Sequence, residues 1–260
     1  AGMKSVEGGA FVSRKWVPQM AASDEVMEKI KRAPGVSYPV LTPNMKGYEG
    51  ARAAKADTVA VFGAASECFS QKNINCSIEE SIERFKPIIE AAKADGVRVR
   101  GYVSCVLGCP YEGKISPSQV LPVAASLYDL GCYEISLGDT IGVGTPEETR
   151  ALIRTLAKAV PITALAGHFH DTYGQALSNI WAAIDEGVTV FDCSVSGLGG
   201  CPYAKGASGN VASEDVVYSL ERSGFETGVD LDALIETSVW ISRKLGRKPG
   251  SKVTLARMGG

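Results

Sequence analysis

The chain has 260 residues, 45% of them apolar, which is enough to bury one full core and matches the size of a single α/β barrel. Its 27 basic and 29 acidic residues leave a formal net charge of -2 with no long basic block, which argues against a nucleic-acid partner, and no apolar run is long enough to span a membrane. Seven cysteines without a CxxC pair exclude a zinc ribbon, and a chain of this size needs no disulfide staples, so free thiols in a reducing compartment are expected.

Short β-rich runs recur along the chain at residues 4–11, 37–42, 58–65, 97–104, 132–137, 162–169 and 188–195. Between them, apolar residues fall at helical spacing: Ile78, Ile82, Phe85, Ile89 and Ala92; then Val120, Val123, Leu127 and Leu130; then Leu152, Leu156 and Ala159; then Leu177, Ile180 and Ile184. The helix starts are marked. Ser77 precedes Glu80 by three residues, and Ser116-Pro117-Ser118-Gln119 and Thr145-Pro146-Glu147-Glu148 combine a capping box with proline at the first helical position. Gly96, Gly131 and Gly187 close helices just ahead of strands, where a left-handed residue is needed. A last helix is expected over 231–245, followed by a basic, solvated tail over 243–252.

Uninterrupted strand–helix alternation implies a parallel sheet. Near-regular units without a dinucleotide fingerprint predict one domain over 1–260, a (β/α)8 TIM barrel, with a doubly wound layer as the alternative. A barrel needs eight strands and the sequence offers seven. Ala1-Gly2-Met3-Lys4 repeats the helix-end glycine and strand pattern of Asp95-Gly96-Val97-Arg98, so a first strand and helix are expected upstream.

Chemistry in a barrel sits at the C-terminal ends of its strands. Glu7, Asp139, His168, His170, Asp192 and Ser194 fall there. The chain's only two histidines stand two apart in Gly167-His168-Phe169-His170-Asp171-Thr172 at the end of a predicted strand. Residues i and i+2 share a strand face, so both imidazoles converge on one point. That pattern suggests a metal site, with Mg, Mn, Zn or Fe all compatible, Asn210 able to add a carbonyl oxygen, and a carboxylate expected as a further ligand. Residues 197–210 hold five glycines and Cys201 but match neither a dinucleotide nor a Walker loop. They are expected to form a mobile lid that presents the Cys201 thiol. Lys72 and Asn73 lie before the Ser77 helix start, a place that suits an anion such as a phosphorylated ligand. A plain solvated loop is the competing reading.

Several stretches then carry a family resemblance: Phe11-Val-Ser-Arg-Lys-Trp-Val-Pro-Gln-Met20, Gly101-Tyr-Val-Ser-Cys105, Gly108-Cys-Pro-Tyr-Glu-Gly113, Glu134-Ile-Ser-Leu-Gly-Asp-Thr140, the His168–His170 segment, and 197–210. Over essentially its whole length the chain resembles the 3-hydroxy-3-methylglutaryl-CoA lyases. The His-x-His-Asp element is shared with metal-dependent Claisen-type synthases. The resemblance implies a TIM barrel, a homodimer, and a divalent Mg2+ or Mn2+. It also implies retro-aldol cleavage of the acyl-CoA to acetyl-CoA and acetoacetate, in the bacterial cytoplasm or the mitochondrial matrix. It implies His168, His170 and Asn210 as metal ligands, and Cys201 in proton transfer from the lid. Glu7 and Asp139 would line the site, with His168 or Asp139 as base. Ser136 and Thr140 are candidates for holding substrate, and Lys72 and Asn73 for facing CoA. An Arg-Asp-Gly motif expected on the family's first strand does not occur in these 260 residues, so weak metal binding and low turnover are expected of this chain. A Claisen-type acyltransferase or an inactive fragment is the alternative.

Overall fold

The structure is a computed structural model that describes residues 1–13, 15, 17–200 and 209–259. Its frame is a seven-stranded, wholly parallel sheet: β1 (Gly9–Ala10), β2 (Val40–Leu41), β3 (Thr58–Ala64), β4 (Arg98–Ser104), β7 (Glu134–Asp139), β8 (Leu165–Phe169) and β9 (Val190–Asp192), in that spatial order. A separate two-stranded antiparallel hairpin, β5 (Gly108–Cys109) with β6 (Gly113–Lys114), follows β4. Sequence order equals spatial order throughout the large sheet, as in a barrel rather than a doubly wound layer.

The sheet is curled, and its side chains prove it. β9 stands three strands from β4, roughly 14 Å away in a flat sheet, yet Arg100 on β4 reaches Asp192 on β9 at 2.8 Å. On the other side Tyr102 of β4 reaches Glu7, just ahead of β1, at 3.4 Å. Both edges therefore bend in toward the same central strand. Among the described residues no pairing joins β1 to β9.

Each predicted strand appears, although its ladder is often shorter than the β-rich run. Residues 4–11 follow β2 along most of their length, through Val6 N–H to the Ser37 carbonyl, Gly8 N–H to Pro39 and Phe11 N–H to Leu41. Ile162–Ala164 forms a 3-10 turn leading into β8 rather than part of the strand. Helices α1 (Ser23–Lys29), α2 (Met45–Ala53), α3 (Glu67–Ile74), α4 (Ile78–Ala94), α5 (Pro117–Leu130), α6 (Pro146–Leu156) and α7 (Ala176–Asp185) follow in turn. They are succeeded by α8 (Ser213–Arg222), α9 (Leu231–Lys244) and α10 (Lys252–Met258). Capping boxes at Ser77, Ser116 and Thr145 start α4, α5 and α6. Gly96, Gly131 and Gly187 adopt φ of 69°, 114° and 96°, the left-handed closure their positions predict.

The apolar core lies between sheet and helices. Val61, Val103, Ile135, Leu137 and Leu165 pack outward against Phe85, Ile88, Leu127, Leu152, Leu156 and Ile180, all buried. The concave face is left to polar side chains. Two expectations are corrected here. Lys72 and Asn73 belong to the last turns of α3, not to a loop before α4. The amides at the start of α4 are already taken by the Ser77–Glu80 box and by Glu67, which accepts from Ile78 at 3.1 Å. The basic residues after α9 are solvated as expected, but the segment is not a free tail: Ser251 is fully buried and caps α10.

Candidate active site

Strand alternation puts one set of side chains inside the curl. The register aligns Arg100 with Glu134, Tyr102 with Ser136, Ser136 with Ala166, and Gly138 with His168 and then Asp192. Their odd-numbered neighbours Val99, Ile135 and Leu165 belong to the helix-facing core.

One guanidinium organises the floor. Arg100 Nε donates to Glu134 Oε1 at 2.6 Å, and its Nη1 donates to the Tyr102 hydroxyl at 2.6 Å and to both Asp192 oxygens at 2.8 and 3.0 Å. Charge pairing of this kind is what makes an ion tolerable inside a protein. Asp192 also accepts from Ser136 Oγ at 2.7 Å and lies 3.2 Å from His168 Nδ1. Burial alone would raise the Asp192 carboxyl, but the His168 hydrogen bond and the Arg100 charge outweigh it and hold the group at about 2. Asp192 is thus an anion at neutral pH, placed to accept a hydrogen bond from Nδ1 of His168.

His170 stands beside it, the two rings 5.4 Å apart, and so the paired imidazoles do converge. Burial, then the neighbouring His168, lowers the His170 pKa to about 4 and keeps the ring neutral at pH 7. The Thr140 carbonyl lies close enough to favour the charged form slightly, yet His170 Nδ1 is buried without a well-formed hydrogen bond among the described residues. A neutral imidazole is a ligand in waiting.

Asn210 is brought to this pair by the ends of the glycine loop. It forms an antiparallel bridge with His170, and Val211 N–H donates to the Phe169 carbonyl at 3.3 Å. Its Nδ2 donates to the Leu198 carbonyl at 3.0 Å, which leaves Oδ1 as its ligand-type atom. The approach demands glycine: Gly199 (φ 104°) faces the Asn210 amide, and Gly209 (φ 101°) lies against the carbonyls of Gly199 and Gly197, too close for a side chain. His168, His170 and Asn210, with the Asp192 anchor behind His168, form one constellation drawn from β8, β9 and the loop that follows.

The HMGL-like family profile matches residues 1–241. The chain belongs to the HMGL-like family. It is 60% identical to the bovine mitochondrial hydroxymethylglutaryl-CoA lyase over 98% of this chain and 79% of that protein. It is 59% identical to a Pseudomonas aeruginosa 3-hydroxy-3-isohexenylglutaryl-CoA/hydroxymethylglutaryl-CoA lyase, over 98% and 85%. The crystal structure of a hydroxymethylglutaryl-CoA lyase from P. aeruginosa superposes with a TM-score of 0.96 at 59% identity, covering 100% of this chain and 86% of that one. An Acinetobacter baumannii lyase solved with coenzyme A and 3-methylmalate gives 0.94 at 35% identity, over 98% and 83%. The TIM-barrel architecture is therefore that of this family.

The other candidate residues of this HMGL-like chain divide. Glu7 stands at the mouth of the curl by Tyr102; desolvation there, then the Asp192 charge, pushes its carboxyl up, opposed by His168 and Arg100. Ser136 joins the cluster as the donor to Asp192. Asp139 does not join it. It is one residue out of phase with Gly138, the partner of His168, so its side chain leaves the concave face. Its oxygens accept from Val143 at 3.2 Å and Gly144 at 2.8 Å, and it is fully buried. Burial raises its carboxyl to about 6 despite those amides. Both acceptor oxygens are thus engaged in holding the 140–144 turn, which speaks against the expected base. Thr140 accepts from Cys105 N–H at 2.8 Å, again within the rim. Lys72 is exposed, its Nζ 4.9 Å from the centre of the Tyr111 ring, away from the histidines in sequence and element. Cys201 lies outside the described residues. The described cysteines are free thiols, most of them buried.

Arg100, Tyr102 and Glu134 were not singled out from the sequence. Their signal was present: an Arg-x-Tyr pair and a Glu-x-Ser pair alternate with apolar residues in two otherwise buried strands, and polar residues at every second place of a barrel strand face its interior.

Proposed function

We propose that the chain cleaves 3-hydroxy-3-methylglutaryl-CoA to acetyl-CoA and acetoacetate, as a carbon–carbon lyase. The observation that carries this is the His168–His170–Asn210 constellation backed by Asp192, found in a chain about 60% identical to curated lyases across nearly all its length.

The donor set suits a divalent metal such as Mg2+ or Mn2+. Two imidazole nitrogens and an amide oxygen would match one face of an octahedral ion; the His170 Nδ1 that has no hydrogen-bond partner among the described residues and the His168 ring held by Asp192 support this reading. Among the described residues no cluster of three or more His, Cys, Asp or Glu side chains completes a ligand set. Bound there, such an ion supplies a Lewis acid for the substrate's hydroxyl and carboxylate oxygens.

The chain's own groups do the rest. The tertiary hydroxyl must lose its proton as the C–C bond breaks, and the departing thioester enolate must gain one at carbon. Glu7, solvent-exposed and within hydrogen-bond reach of the Tyr102 hydroxyl at 3.4 Å, is proposed to exchange that proton. Arg100 holds Asp192 and Tyr102 so that the cavity floor keeps its charge and shape. Cys201 is proposed as the acid, since a thiol with a pKa near ~8.5 is suited to donate a proton to an enolate. Lys72 and Asn73 on α3 are proposed to meet the CoA, and the family's homodimer is carried over as part of the same reading.

A coupled acetoacetate assay with Mg2+ or Mn2+ tests the function. Acetoacetate and acetyl-CoA should form in equal amounts. Formation should stop with chelator and with His168→Ala. Condensation of acetyl-CoA with a 2-oxo acid, without acetoacetate release, would replace this reading by a Claisen-type synthase.

A further inference from the structure

Ser196 is a serine in the left-handed region, with φ 60° and ψ 16°, followed at once by Gly197 at φ 61°. Glycine accepts that backbone freely and serine does not, so the conformation persists only where surroundings impose it. Here every polar group of Ser196 is held, and it is fully buried. Its N–H donates to both Glu214 oxygens at 3.0 Å. Its hydroxyl pairs with Ser242 Oγ at 3.0 Å and accepts from Gly250 N–H at 3.2 Å. Its carbonyl accepts from the same Gly250 N–H at 3.1 Å. A Cβ on Gly250 would meet that carbonyl oxygen at 2.5 Å, so only glycine permits the approach.

These partners come from three C-terminal elements. Glu214 opens α8, Ser242 closes α9, and Gly250 precedes α10. They are locked together in turn: Thr254 Oγ1 donates to Glu214 at 3.3 Å, and Asp215 accepts from Ser251 Oγ at 2.7 Å and from the Val253 and Lys252 amides at 2.9 and 3.1 Å. On its other side Ser196 directs the chain into the glycine stem, whose Leu198 carbonyl holds the Asn210 amide.

We propose that Ser196 is a positioning residue: clamped by Glu214, Ser242 and Gly250, it fixes the turn out of β9 and so aims Asn210 at His170. The C-terminal helices thereby act on the site without touching it. This deepens the lyase reading and rests on it only for its kinetic arm.

The test uses the full chain and three variants: Glu214→Gln, Ser196→Val and Ser196→Gly. Hydrogen exchange by mass spectrometry should show at least tenfold faster exchange over 197–199 and 210–212 in E214Q and S196V, with β3 and β4 unchanged. In steady-state cleavage both should lose at least tenfold in kcat while KM stays within threefold. S196G, which keeps the left-handed turn and the N–H bonds to Glu214 but loses the hydroxyl's bonds to Ser242 and Gly250, should fall between the parent and S196V in exchange and in kcat. Parent-like exchange over 197–199 in both E214Q and S196V would overturn the proposal, as would S196G falling as far as S196V. If the parent chain released no acetoacetate, the lyase reading would fail while the exchange comparison still decided the role of the clamp.

Discussion

Two aspartates, at the ends of β7 and β9 on either side of β8, titrate in opposite senses. Asp192 is held at about 2, below its usual range, so it adds stability above pH 4 that fades as the pH falls toward 2. Asp139 is raised to about 6, so the fold favours its protonated form, and stability falls as the pH rises from about 4 through 6. The difference amounts to about 3 kcal/mol for Asp139. Urea unfolding of Asp139→Asn at pH 4.5 and pH 7 should show a flatter decline than the parent across that window. An unchanged slope would mean that its protonation is not the source. Asp192→Asn should cost about 2 kcal/mol at pH 7 and, by freeing the His168 ring, weaken Mn2+ binding by roughly ten- to a hundredfold. Titration followed by electron paramagnetic resonance reads the second effect separately from unfolding. At this scale the sequence pointed to residues that the structure brings together and was silent about most of their partners. His168, His170, Asp192 and Asn210 could be chosen by position, but the Arg100 junction depends on how far the sheet curls, which no local pattern encodes.

Elements were most legible where their ends carry chemistry of their own. Ser77, Ser116 and Thr145 each precede a Glu or Gln by three residues, and all three boxes form as hydrogen-bonded pairs. Thr145→Ala should lower stability by about 1 kcal/mol, measured as a shift in the urea midpoint at constant slope; a silent substitution would show that α6 is held by its packing alone. The helices that escaped notice, α1, α2, α3, α8 and α10, run from seven to ten residues, and the shorter of them offer too few turns for a periodic signal. Lys72 was misplaced for that reason: α3 ends at Ile74, so the segment ahead of Ser77 reads as a loop although most of it is helical. Asp139 was misjudged by phase. Reading a strand end as a site holds only for every second residue, and register against His168 becomes known only once the strands are paired.

For the molecule as a whole, the alternation of seven strands with helices was enough to name the barrel class, because a helix between each pair of strands enforces parallel pairing. What alternation does not convey is the order in which the interior comes together. Arg100 meets Glu134 across 34 residues of chain but Asp192 across 92. The guanidinium therefore gains its first carboxylate partner once β7 docks on β4 and its second only when β9 arrives. Loop closure makes the longer contact the later one. In stopped-flow refolding, Glu134→Gln should chiefly slow folding, whereas Asp192→Asn should chiefly speed unfolding; equal effects on both rates would reject that sequence of events. Emerging from the ribosome, the chain would carry a cation in its interior for the ninety residues before its last anion is made, and the competence to bind a ligand would be the final property this barrel acquires.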